Sequence, residues 1–184
     1  MHALVVYGHP TPESSTANKL IIERLREQLP DAEFRTVAEL KGPAGWDVPA
    51  EQEALKRADV VVFVFPFYWY SFPAVLKEWI DDVFTHGFAY GTNGTALEGK
   101  RLVFSFTTGG DAADYVKGGK EGWTVEEFLP PFFQIGRFCG FKPAEAVWSC
   151  GMMYVPGVSS DAELTAVRAK AEDHAKRLAK VILG

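Results

Sequence analysis

The run from Gly8 to Asn18, Gly-His-Pro-Thr-Pro-Glu-Ser-Ser-Thr-Ala-Asn, is dense in hydroxyls and leads into a helical stretch. A helix N-terminus presents unpaired N–H groups and a partial positive charge, so this loop is a candidate anion site to which Ser15 and Thr16 add hydroxyl donors. The plainer alternative makes Ser14 or Ser15 a helix cap and His9 an ordinary turn residue. Neither G-x-x-x-x-G-K-S/T nor G-x-G-x-x-G is present in this loop, which removes the main support for a nucleotide triphosphatase or a dinucleotide-binding Rossmann site.

Two further loops carry residues of chemical interest. From Phe65 to Phe72 the chain places six aromatic rings in eight positions. Such rings usually pack in a core, but at this density in a connection they also suit the walls around a flat conjugated ligand. Thr107-Thr108-Gly109-Gly110 then offers a backbone that a ligand can approach closely, with successive amides able to hold an electron-rich edge. Alone, a Gly-Gly pair is also an ordinary turn.

Short, nearly continuous apolar runs must position these loops: Ala3 to Tyr7, Val60 to Phe65, Leu102 to Phe106 and Ala146 to Trp148, with Glu33 to Val37 as a weaker candidate. Runs of this kind are expected of strands covered on both faces. Between them lie helical stretches. One carries Leu20, Ile21, Leu25 and Leu29 on one face and stops at Pro30; others cover Ala50 to Ala58, Ala74 to Phe84 opened by Pro73, and Thr124 to Phe138 broken at Pro130-Pro131. In the last, opened by Asp161, the residues Leu164, Val167, Ala171, Ala175, Leu178 and Ile182 form one stripe. This alternation predicts one doubly wound α/β domain over residues 1–184, with about five parallel strands and helices on both faces. Ligands of such sheets sit beyond the carboxyl ends of the strands, where all three loops fall.

The 184 residues carry 19 basic and 24 acidic side chains, a net charge of −5, which disfavours nonspecific capture of nucleic acid. Two cysteines, Cys139 and Cys150, are too few for a disulfide scaffold and suit small core residues in a reducing compartment. The start lacks a basic region and a long apolar run, so a cytoplasmic protein is expected. Val60 to Leu76 is uncharged, but Pro66 and Pro73 interrupt it and its first half is β-branched and aromatic, so a strand entering a loop is expected rather than a membrane helix. No His, Cys or carboxylate spacing points to a metal, and Ser71 lacks a G-x-S-x-G elbow. His2 and His174 are expected at the surface.

With these loops in place, the chain resembles the flavodoxin-like NAD(P)H:quinone oxidoreductases, and within them the small bacterial FMN branch that includes the ancillary oxidoreductase of the glutathione-regulated potassium efflux system. The resemblance is carried by H-P-x-P-x-x-S-x-A-N (His9 to Asn18), A-E-Q-E-A-L-x-R-A-D (Ala50 to Asp59) and P-x-x-W-Y-S-x-P (Pro66 to Pro73). L-K-x-W-I-D-x-V-F-x-H-G-x-A-Y-G (Leu76 to Gly91), G-T-A-L-x-G-K (Gly94 to Lys100) and T-T-G-G add to it.

The resemblance implies a flavodoxin-like fold, FMN rather than FAD, NADH or NADPH as hydride donor, a quinone-like acceptor, ping-pong turnover and a homodimer. By position, His9, Ser15, Thr16, Ala17 and Asn18 would hold phosphate and ribityl chain. Pro66, Phe67, Tyr68 and Trp69 would border the isoalloxazine, with Thr107, Thr108, Gly109 and Gly110 at its pyrimidine side. Tyr115 would be the catalytic side chain; the stretch after it, Val116 to Gly122, has no histidine, which departs from those relatives that pair a tyrosine with one. The dimer is expected to bury Trp79 to Tyr90, whose apolar side chains look hard to place on one small monomer. Two rival functions are a regulatory ancillary subunit with a membrane transport protein as partner and a one-electron carrier of flavodoxin type. A carrier usually has a more acidic surface.

Overall fold

The structure, a computed structural model describing residues 1–184, is built on five strands: β1 (Ala3–Tyr7), β2 (Glu33–Thr36), β3 (Val60–Pro66), β4 (Arg101–Thr107) and β5 (Glu145–Ser149). All pairs are parallel, in the order β2-β1-β3-β4-β5. This is the flavodoxin-like doubly wound order, whose topological switch lies between β1 and β3.

Six helices cover the sheet: α1 (Ala17–Gln28), α2 (Val37–Leu40), α3 (Val48–Arg57), α4 (Ala74–Val83), α5 (Pro130–Phe138) and α6 (Asp161–Leu183). Side-chain alternation along each strand divides the core in two. Val5, Val62, Val64 and Val103 face α1 and α6, meeting Ile21, Leu25, Ala171, Ala175 and Leu178. Leu4, Val61, Phe63, Phe65, Phe104 and Phe106 face the other way, against Leu55 of α3, Leu76 and Trp79 of α4, and Phe132 of α5. The small, branched face admits close helix packing, while the phenylalanine face fills a wider gap.

Several local details differ from the sequence expectation. The N-cap of α1 is Thr16 rather than Ser14 or Ser15, because Pro12–Ser14 forms a short 3-10 turn first. Ser160, not Asp161, caps α6, in a reciprocal arrangement with Glu163. The Thr124–Phe138 stretch is two pieces: a 3-10 turn over Val125–Phe128 under a Thr124 capping box, then α5 from Pro130. Val37 leaves the second strand to open α2.

Two corrections are larger. Trp79, Ile80, Val83, Phe84, Phe88 and Ala89 are all buried within the single chain, so that segment gives no reason for a dimer. His174 is not at the surface; it is fully buried on α6, between Ser105 of β4 and Ser149 of β5.

The base of the site is held by close approaches. A Cβ on Gly8 would lie 2.6 to 2.9 Å from Leu76 side-chain atoms, so only glycine lets the loop after β1 pass over α4. Beneath it, the buried Glu51 carboxylate accepts from Trp79 Nε1 at 3.1 Å and Arg35 Nη1 at 3.2 Å, tying α3 to α4 and β2.

Candidate functional site

At the carboxyl end of the sheet a cleft of about 290 Å3 opens between the loops after β1, β3, β4 and β5, at the small end of the ~300–1,000 Å3 usual for small-molecule sites. It brings together His9, Ser15, Thr16, Ala17, Asn18, Pro66, Phe67, Tyr68, Thr107, Thr108 and Gly109. Of the residues expected there, Trp69, Gly110 and Tyr115 do not line it.

The α1 end of the cleft is an uncapped helix N-terminus. No side chain caps it, and the amides of Thr16, Ala17, Asn18 and Lys19 find no acceptor within the chain. Neither Ser15, a cap in the plainer alternative, nor Thr16, the actual N-cap, makes such a bond. Three of the residues with free amides, Thr16, Ala17 and Asn18, and the hydroxyl residues Ser15 and Thr16 line one end of the cleft, the arrangement an anion needs. Asn18 is nearly fully buried; its Nδ2 donates to Thr107 Oγ1 at 2.9 Å, while its Oδ1 is buried without a partner. An unpaired buried acceptor is costly, and a ligand donor would relieve it.

His9 is buried, and burial holds its imidazole below the ordinary histidine range, so it is neutral at pH 7. Its Nδ1 accepts from Thr11 N–H at 3.1 Å, which leaves the ring proton on Nε2 as a donor. The ring meets Tyr68 edge-on, with centroids 6.1 Å apart. Next to it lies the buried Tyr7 hydroxyl, whose pKa burial pushes up to about 12 while the Ser15 side chain opposes the rise.

Phe67 and Tyr68 form the aromatic wall. Phe67 is anchored by Phe106 at 4.8 Å and by its N–H donating to Thr107 O at 2.8 Å. Trp69, by contrast, is 92% exposed and turns away from the cleft. On the other side Thr108 is fixed: its N–H donates to Ser149 O and its hydroxyl to Gly110 O at 2.9 Å. The Gly109 and Gly110 amides make no hydrogen bond within the chain. Tyr115 lies behind Gly110, buried rather than exposed, edge-on to Phe128. Its hydroxyl is directed toward Thr108, and burial raises its pKa.

Met152, Met153 and Tyr154, in the loop after β5, also line the cleft. No motif marks them in the sequence; that a parallel sheet brings every strand's carboxyl end to one rim points to the loop after β5 but not to these side chains.

The Flavodoxin-like fold family matches residues 1–175. The chain belongs to this family. A curated relative, the glutathione-regulated potassium-efflux system ancillary protein KefF of Enterobacter sp. (strain 638), is 42% identical over 139 residues, covering 76% of this chain and 77% of its own. Among solved structures, general stress protein 14 of Treponema denticola, in complex with FMN, is 29% identical with a TM-score of 0.81, covering 97% of this chain and 98% of that one. An NADPH-quinone reductase from P. pentosaceus is 28% identical with a TM-score of 0.72, covering 93% and 98%. In this flavodoxin-like chain no helix is long and apolar enough to cross a membrane.

Proposed function

We propose that the chain is an FMN-dependent NAD(P)H:quinone oxidoreductase. One observation carries this: an uncapped helix N-terminus with unpaired amides opens into the same cleft as an aromatic wall and the unbonded Gly109 amide. A phosphate at one end and a flat, electron-rich ring at the other meet these demands together. The names of two relatives, one in complex with FMN and one an NADPH-quinone reductase, support the same assignment.

When bound, FMN supplies two-electron hydride chemistry that no side chain here offers. The chain's own residues bind and orient. Ser15, Thr16 and the α1 amides take the phosphate, with His9 Nε2 and Asn18 Oδ1 left for ribityl hydroxyls. Pro66, Phe67 and Tyr68 border the ring, while the Gly109 amide donates to its pyrimidine edge, where negative charge needs stabilising. Tyr115 stands behind Gly110, its hydroxyl kept protonated by burial.

If donor and acceptor use one stacking face, they alternate there, and initial-rate plots with varied quinone at several NADPH concentrations give parallel lines. Tyr115→Phe is expected to slow turnover about tenfold, ~1.4 kcal/mol of barrier, with FMN affinity unchanged. Intersecting lines would defeat the shared face, and an unchanged rate would remove Tyr115 from the chemistry.

A homodimer belongs to this proposal, supported by the exposed rings of Trp69 and Trp123 rather than by Trp79 to Tyr90. Sedimentation of the FMN-loaded protein at micromolar concentration tests it. The potassium-efflux ancillary relative favours a second reading, a regulatory subunit docking on a membrane transport protein; co-purification with such a transporter would support it.

A further inference from the structure

Trp69 and Tyr70 hold φ angles of 49° and 60°, in the left-handed region that side chains with a Cβ enter at a cost. They are the central pair of a tight turn closed by Ser71 N–H donating to Tyr68 O at 3.1 Å. Glycine or asparagine usually occupies such positions, and two bulky aromatics persist there only when their surroundings over-determine the turn.

Two contacts outside the turn do so. The Tyr70 ring stacks on Phe128, centroids 5.2 Å apart and planes 16° from parallel. Its hydroxyl donates to Glu121 Oε2 at 2.7 Å, and that carboxylate raises the Tyr70 pKa, so the donor proton stays in place. Glu121 is fixed in turn: its N–H donates to Asp114 O at 3.1 Å, and its Oε1 lies 3.4 Å from the point a Cβ on Gly110 would occupy. One hydrogen bond thus ties the loop after β3 to the loop after β4.

We propose that Glu121 is a positioning residue for the aromatic wall: through the Tyr70 hydroxyl it holds the Tyr68–Ser71 turn in its strained form, so that Phe67 and Tyr68 meet a flat ligand in one arrangement. This rests on the flat-ring reading of the cleft, but the turn itself can be observed without any ligand.

Three variants of the full chain test it. Tyr70→Phe keeps the stack and removes the donor, Glu121→Ala removes the acceptor, and Glu121→Gln keeps a carbonyl acceptor. Amide hydrogen exchange at Ser71, followed by NMR on FMN-free protein, reads the turn. Exchange should be about fivefold faster in Tyr70→Phe and Glu121→Ala, no faster in the double variant, and near wild type in Glu121→Gln. With FMN bound, the first two should raise KM for a quinone roughly fivefold with kcat within about twofold, and Glu121→Gln should restore it. Unchanged Ser71 exchange, or additive effects in the double variant, overturns the role of Glu121 whether or not FMN binds. A wild type that binds no FMN yet shows the coupled exchange pattern would instead strike the flat-ring reading and leave the turn lock standing.

Discussion

Acidifying the protein from pH 7 to 5 should remove about 2 kcal/mol of folding stability through His174 alone. Its ring is wholly buried, with Ser149 Oγ 2.9 Å from Nδ1 and Ser105 Oγ 2.8 Å from Nε2. Arg177 Nη2 donates to Ser149 Oγ at 2.7 Å, so the serine's own proton points to Nδ1 and the ring proton sits on Nε2, toward Ser105. The imidazole is therefore satisfied only when neutral. Burial first, and then the Arg177 guanidinium, push its pKa down to about 3, with Asp173 opposing. The unfolded chain takes up this proton near pH 6.5 and the folded chain not until about pH 3, so the unfolded state binds more protons in between. Stability is complete above the unfolded value and falls as pH drops, by up to ~1.4 kcal/mol per unit. His9, also held low by burial, adds a loss of the same sign. Urea unfolding at pH 7 and pH 5, for wild type and His174→Gln, isolates the term. The variant should be less stable at pH 7 and flatter with pH; identical pH dependence in both would show that His174 is not the group that titrates.

Thr16→Glu should separate stability from ligand binding, moving them in opposite directions. Position 16 is the N-cap of α1 and faces four unpaired amides. A carboxylate there complements the helix terminus and should stabilise the FMN-free protein by roughly 0.3–1 kcal/mol. The same charge meets the phosphate at short range, at about 3 kcal/mol for each charge pair 5 Å apart in a medium of effective dielectric near 20. FMN affinity should fall by on the order of a hundredfold. Thr16→Ser should leave both near wild type. Fluorescence titration of FMN and urea unfolding of the FMN-free protein read the two quantities; unchanged FMN affinity would place the phosphate elsewhere.

Sheet and site differ in how far they could be read from sequence. β3 and β4 are marked by continuous Val and Phe runs because both faces are covered, and their boundaries lie within one residue of the apolar run. α2 carries no such mark: four residues cannot show a helical period. Caps were misplaced because Ser14, Ser15 and Thr16 are equally good candidates, and only the Pro12–Ser14 turn decides among them. His174 defeats local reading altogether. It neighbours Asp173 and Arg177 on a charged helix, and its burial depends on serines 69 and 25 residues distant in sequence. The loops after β1, β3 and β4 were legible because their residue types are unusual for plain connections. Met152 to Tyr154 and the outward turn of Trp69 were not, since packing and a strained backbone place them.

The most direct measurement compares wild-type affinity for FMN and for riboflavin, which has the same ring and ribityl chain but no phosphate, by calorimetry under identical conditions. If the α1 terminus is the phosphate site, FMN binds one per chain, and riboflavin binds at least about a hundredfold more weakly, the loss of two charge-assisted hydrogen bonds at ~1.5 kcal/mol each. Equal affinity for the two, or measurable affinity for neither, would contradict the assignment of this cleft to FMN.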